Sequence, residues 1–335
     1  MLYQDPEHHT FINFITRYLG KGWGYFSVWS YWLSVVFIGM AEITAIAHYV
    51  QFWFPSWPSW LIQVVFLTIL GLVNLIAVKI FGEVEFWFAM IKIVAILAMI
   101  ATGIFMVLTG FETPYGSASL VNISEQFSLF PNGGMNFVMA FQMVFFAYLM
   151  IEFIGVTTSE TKDPRKVLPK AVKEIPLRII FFYGGALLAI MSIIPWRELS
   201  ATDSPFVTVF ELVGLKWAAA LINFVVLTSA ASALNSTLYS TGRHLYQIAH
   251  DSPNRFLKAI KADTLSRHNV PQNAIIASAV LIGLAAFINV LPGVSDAFAL
   301  ITASSSGVYI AIYILIMVAH LKYRKSKDFM ADGYL

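Results

Sequence analysis

The placement of charge is what most constrains this chain: Lys, Arg, Asp and Glu gather in short segments and leave long apolar runs between them. Hydrophobic residues make up 58% of the 335 and charged residues 12%. Crossing the hydrocarbon core of a bilayer takes roughly 20 apolar residues of helix, and helix is required because backbone groups in lipid find no water partner. Runs of this kind fall at about residues 23–50, 59–78, 86–109, 136–158, 177–194, 218–241, 273–291 and 296–320. The expected fold is all-α and polytopic, one membrane domain over 1–335 with eight transmembrane helices.

Orientation follows from the basic residues. With the first helix running outward, 18 of the 21 Lys and Arg lie on the starting side, from Arg17 and Lys21 to Lys322, Arg324, Lys325 and Lys327. Only Arg197 and Lys216 fall opposite, and Lys92 lies within a helix. Cytoplasmic loops carry the basic excess, so both termini are expected in the cytoplasm. Trp23, Trp53, Trp57, Trp60, Trp87, Trp196 and Trp217 fall at expected helix ends, where an amphipathic ring favours the membrane interface. The segment Thr109 to Met135 has no Lys or Arg and reads as an ordinary extracellular connection. The opening residues have neither a basic head nor an apolar core, so they are not a cleaved signal peptide.

Several chemistries lack their residues. Without cysteine there is no disulfide framework, thiolate nucleophile or cysteine metal site. The histidines, at positions 8, 9, 48, 244, 250, 268 and 320, form no His-x-x-x-His pair, so no metal site is expected. A formal net charge of +2 implies no nucleic-acid partner, and no phosphate loop or catalytic triad is assignable, so an enzyme is not expected.

Charged side chains inside a membrane cost about 3 kcal/mol on insertion scales and therefore face the bundle interior. Lys92 and Glu152 each lie roughly 9 Å inside the cytoplasmic ends of their expected helices. Two readings stand for them: proton coupling, because burial draws both pKa values toward neutrality, and simple snorkelling, which suits the longer lysine better. Glu42, about two turns from the outer end of the first helix, reads as a structural, hydrogen-bonded residue. The sixth helix carries Thr228, Ser229, Ser232, Asn235, Ser236 and Thr237, with Ser229, Ser232 and Ser236 on one stripe. That stripe can line a path or simply let helices pack closely, and Ser304, Ser305 and Ser306 raise the same pair of readings. Three consecutive serines cannot all face one way.

Longer motifs add a resemblance. Tyr49 to Pro55 (YVQFWFP), Val78 to Lys92 (VKIFGEVEFWFAMIK), Glu160 to Pro164 (ETKDP) and Ile222 to Ser232 (INFVVLTSAAS) resemble the amino acid permeases of the amino acid/polyamine/organocation superfamily. The wording is most similar to the bacterial D-serine/D-alanine/glycine carriers. The resemblance implies a five-plus-five inverted-repeat fold, incomplete at both ends, of which these helices are the third to tenth. It further implies proton symport of a small neutral amino acid across the bacterial cytoplasmic membrane, with no cofactor beyond the proton. The substrate amino group is then received by backbone carbonyls at Phe146, Ala147 and Tyr148, where the family's helix unwinds. Lys92, Glu152, Thr228, Ser229 and Ser232 match the proton-coupling region. Met150 stands where the family usually has glycine, and methionine favours continuous helix. A second reading of the same chain is a transport-inactive truncated permease or a membrane scaffold subunit.

Overall fold

The computed structural model describes residues 1, 10–76, 81–125, 127–151, 164–199, 204–251, 255–266, 270–288, 290 and 297–329. Helix dominates it because a chain this apolar, in lipid, must satisfy its backbone groups within each segment. A short helix the apolar runs do not reveal, α1 (Phe11–Leu19), comes first; it is strongly amphipathic and too short to span. Gly20, with φ +101°, ends it in a conformation that favours glycine and turns the chain into α2 (Lys21–Gln51).

Next come α3 (Ser59–Ile76), α4 (Phe81–Thr109), a two-residue hairpin of β1 (Glu112–Thr113) and β2 (Gly116–Ser117), and the single turn α5 (Val121–Glu125). The Thr109 to Met135 connection is thus more than a plain loop. Glu112 pairs with Ser117 across the hairpin, and Asn122 Nδ2 donates to the Ser192 carbonyl at 3.0 Å, tying the segment to the end of a later helix. Helix α6 (Gly134–Ala147) follows, then α7 (Pro164–Ile179), a π-helical turn at Ile180–Gly184 and α8 (Gly185–Ile193), which run on without interruption. The fifth apolar run was expected to begin at 177; the helix begins at Pro164, whose fixed φ and missing N–H suit a first turn.

The remaining helices are α9 (Pro205–Leu212), α10 (Lys216–Asp251), α11 (Arg255–Ala259), α12 (Gln272–Gly283), α13 (Ala285–Ile288) and α14 (Ala297–Arg324). Among the described residues, five helical segments are long and apolar enough to cross a membrane: Lys21–Gln51, Ala89–Thr109, Pro169–Ile193, Trp217–Asp251 and Ala297–Arg324. Three shorter apolar segments, Ser59–Leu75, Gly134–Ala147 and Gln272–Ile288, overlap the other expected spans without reaching the length of a crossing.

Helices α2 and α10 form the centre, with Trp32, Val36, Ile43, Ile46, Leu234, Leu238 and Leu245 buried between them and α12. A second cluster, around Met99, Met106, Ile193 and Val209, joins α4, α8, α9 and α10. Gly103 makes the α4–α8 crossing close: a Cβ there would stand 2.5 Å from the Cβ of Ala189. Small residues allow such approaches between membrane helices, where dispersion rather than the hydrophobic effect holds segments together. Ile69, Leu72, Ile104, Leu108, Val138 and Leu187 point outward, as lipid-facing side chains do.

At the end of the bundle rich in Lys and Arg, Arg17 donates to Asp328 at 2.8 Å and Tyr18 Oη to the same carboxylate at 3.2 Å. Both groups of the ion pair are well exposed, so it contributes little stability. Its value is topographic: the segment before α2 and the segment after α14 lie at one end.

Candidate functional site

Lys92 stands further along its helix than the apolar run implied. Helix α4 begins at Phe81 rather than near 86, so Lys92 lies eleven residues in, roughly 16 Å along the axis instead of 9 Å. The ammonium turns inward and donates to the hydroxyl of Ser232 on α10, at a long 3.5 Å. Ser232 is buried, 3% exposed, near the middle of its helix.

A third group was assigned differently from sequence. Glu42 on α2 was expected to be structural and hydrogen-bonded, yet among the described residues its carboxylate makes no hydrogen bond, and it lies within the electrostatic reach of Lys92. Tyr49, two turns further along α2, lies in turn within reach of Glu42. The missed signal was relative depth: Glu42 and Lys92 both fall in the middle portions of their helices, and a carboxylate and an ammonium sharing a bundle's interior pair unless kept apart.

The polar face of α10 divides into several uses. Thr228 and Thr237 spend their hydroxyls on carbonyls of their own helix, at Val225 and Ala233. Ser229 lies one turn before Ser232 on the same stripe. Asn235 accepts a 2.6 Å bond from Asn74 Nδ2 of α3, and Asn223 Nδ2 donates to the Tyr49 carbonyl at 2.8 Å. These amides fix α10 against α3 and α2. Asn74 had no place in the sequence reading because a lone asparagine in an apolar run carries no periodic signal.

The serines of α14 serve packing. Ser304 bonds within its helix, Ser305 donates to the Ser34 carbonyl of α2 at 3.2 Å, and Ser306 donates to the Gln142 carbonyl of α6 at 2.6 Å. They face three ways, as three consecutive helical positions must.

Helix α6 stops at Ala147, ten residues or so before the end of the expected span. Tyr148 to Ile151 continue as turn, and Met150 takes φ +68°, a left-handed conformation that a methionine adopts at a cost of about 1–2 kcal/mol. The preference of methionine for continuous helix does not prevail here. Tertiary contacts override the local preference: Met150 and Phe146 pack on the cluster of Tyr31, Val35, Tyr309 and Ile312.

Of the residues expected to contact substrate, Phe146 packs edge-on against Phe298 of α14. The Ala147 carbonyl, free of the helix ladder, accepts a 2.9 Å bond from the hydroxyl of Tyr183, and the Tyr183 ring stacks on Tyr148. Tyr183 lies in the π turn, which rotates it out of α-helical register. Tyr183→Phe keeps the stacked ring and frees this carbonyl, so substrate affinity should rise a few-fold, the worth of one neutral hydrogen bond. Competition binding checks this, and weaker binding would mean that Tyr183 instead holds the carbonyl in place. Glu152 lies outside the described residues, so the Lys92–Ser232–Glu42 group and the broken end of α6 are the two parts of the site on view. Among the described residues no group of three His, Asp or Glu could hold a metal ion.

A helical bundle that keeps a lysine, a carboxylate and hydroxyls in the middle portions of its helices, beside an apolar helix that ends in turn, has the anatomy of a membrane transporter. The chain belongs to the amino acid permease family, whose sequence pattern matches residues 1–331. It is 49% identical over 334 residues to the DL-alanine permease SerP2 of Lactococcus lactis, a match covering 100% of this chain and 72% of that protein. The serine permease SerP1 of the same organism is 48% identical, over 100% of this chain and 74% of the relative. The D-serine/D-alanine/glycine transporter of Escherichia coli K12 is 43% identical, over 99% and 70%. The protein is accordingly an integral membrane protein of a family of transporters.

Proposed function

We propose that this protein carries a small neutral amino acid of the glycine, D-alanine and D-serine class across the bacterial cytoplasmic membrane by proton symport. The observation that carries the reading is the contact of Lys92 with Ser232 in the middle of the bundle, with Glu42 in the field of the same ammonium. An ammonium inside the bundle is a group that can carry a proton between the two sides, and its hydroxyl and carboxylate neighbours offer partners for the charged state. Phe146, Ala147 and Tyr148 bind the substrate at the break, Lys92 and Glu152 exchange the proton, and Ser229, Ser232 and Thr228 line the path between. The proton is the coupling ion and no other cofactor takes part. The names of the relatives, which specify alanine, serine, D-serine and glycine, support the substrate class.

The same reading takes eight helices across the membrane in an inverted-repeat arrangement, with the basic end in the cytoplasm. It is tested by uptake of radiolabelled glycine and D-alanine in permease-deficient cells making this chain, with and without a proton gradient. Gradient-dependent uptake, competed by unlabelled D-alanine and glycine, is the expected result. Competition by aromatic or basic amino acids alone would overturn the substrate class.

A further inference from the structure

The far end of the bundle, opposite the Arg17–Asp328 pair, holds a cavity that the transport site does not use. Its volume is about 520 Å³, within the range of roughly 300–1,000 Å³ typical of small-molecule sites. The tip of α2, the hairpin segment, α9 and the start of α10 line it as an open cleft, and its walls include His48, Tyr49, Tyr115, Thr208, Glu211 and Asn223. Tyr49 is seven residues beyond Glu42, so the cavity lies roughly 10 Å from Glu42 along α2.

The polar groups of this wall are of two kinds. Asn223 and Thr208 are committed, the first to the Tyr49 carbonyl at 2.8 Å and the second to the Ser204 carbonyl at 3.3 Å. Among the described residues, the carboxylate of Glu211, the imidazole of His48 and the hydroxyls of Tyr49 and Tyr115 make no hydrogen bond or ion pair. Among the described residues no Lys or Arg lines the space, and Glu211 is the one carboxylate in its wall. An anion with no ammonium would meet an uncompensated carboxylate, while a bare cation would leave the imidazole and phenol donors unused. A molecule with an ammonium at one end and a carboxylate at the other satisfies both sets.

We infer that this cavity is a second, outer binding site for a small amino acid, in which Glu211 receives the ammonium and His48, Tyr49 and Tyr115 donate to the carboxylate. The choice of ligand rests on the substrate class and orientation proposed above; the cavity and its free groups do not. Substrate captured there would stand two helical turns outside the Lys92 site, raising its local concentration at the entrance to the path.

Because the chain has no cysteine, Thr208→Cys gives it a single thiol, placed in this wall. A membrane-impermeant maleimide should label it from outside intact cells, and D-alanine or glycine should slow the labelling. Adding Glu211→Gln should raise the half-protecting concentration about tenfold, for loss of a charge-assisted bond. Glu211→Asp should recover part of that loss, and Lys92→Ala should leave protection in place. Should Thr208→Cys fail to reach the membrane, Ser204→Cys reads the same wall.

Labelling that amino acids do not slow, that Glu211→Gln leaves unchanged, or that loses its protection only with Lys92→Ala would overturn the inference. So would a thiol that reacts only after the cells are permeabilised. Labelling reports occupancy without transport, so failure of the uptake experiment and failure of this inference are separate results.

Discussion

Lys92→Ala should abolish proton-driven accumulation while exchange of internal for external substrate continues. Exchange needs only a binding site that alternates between the two sides, whereas accumulation needs a group whose proton travels with the substrate. One elementary charge moved through 100 mV is worth about 2.3 kcal/mol, enough for roughly fiftyfold accumulation. Without coupling the ratio should fall to about one. Lys92→Arg should fail in the same way: it keeps the positive charge, but a guanidinium does not release its proton. Measuring steady-state accumulation and counterflow in one set of cells separates the cases. Accumulation retained in either variant would remove Lys92 from the coupling step, whatever its contact with Ser232.

Met150→Gly should raise substrate affinity by up to about tenfold. In the left-handed conformation at φ +68°, methionine carries about 1–2 kcal/mol that glycine does not, and glycine also disfavours the competing continuous helix by up to about 1 kcal/mol. Both effects favour the broken form that frees the Ala147 carbonyl. The apparent affinity of a ligand rises with the fraction of protein already in the binding-competent state, so part of that free energy should appear in the dissociation constant. Competition binding for wild type and variant gives the answer directly. An unchanged constant would mean that contacts of Met150 with the Tyr31 and Tyr309 cluster already hold the break fully open.

The site was legible in parts, and the parts differ for physical reasons. Lys92 stood out from sequence because a charge in a long apolar run is costly wherever the helix ends. Its partner did not, since Ser232 is one of several hydroxyls on α10 and only the crossing of α4 with α10 selects it. Glu42 was read as structural and hydrogen-bonded, because only the crossing of the helices brings it within reach of Lys92. Tyr183 went unnoticed, because the π turn that brings its hydroxyl to Ala147 leaves no mark in the apolar pattern. Helix α1 was missed for the opposite reason: its nine residues are too few to span and follow the amphipathic pattern of a surface helix.

By itself the sequence determined the class of protein, the approximate positions of its apolar helices and the side on which positive charge gathers. Those follow from composition summed over windows of about 20 residues, where the free energy of moving apolar groups into lipid outweighs local detail. Only the tertiary structure decided where α6 stops, which hydroxyl meets Lys92, which serines merely pack, and that four uncommitted polar side chains surround one cavity at the far end. Each of these turns on one or two kcal/mol of local preference, an amount that contacts between segments distant in sequence readily supply or override.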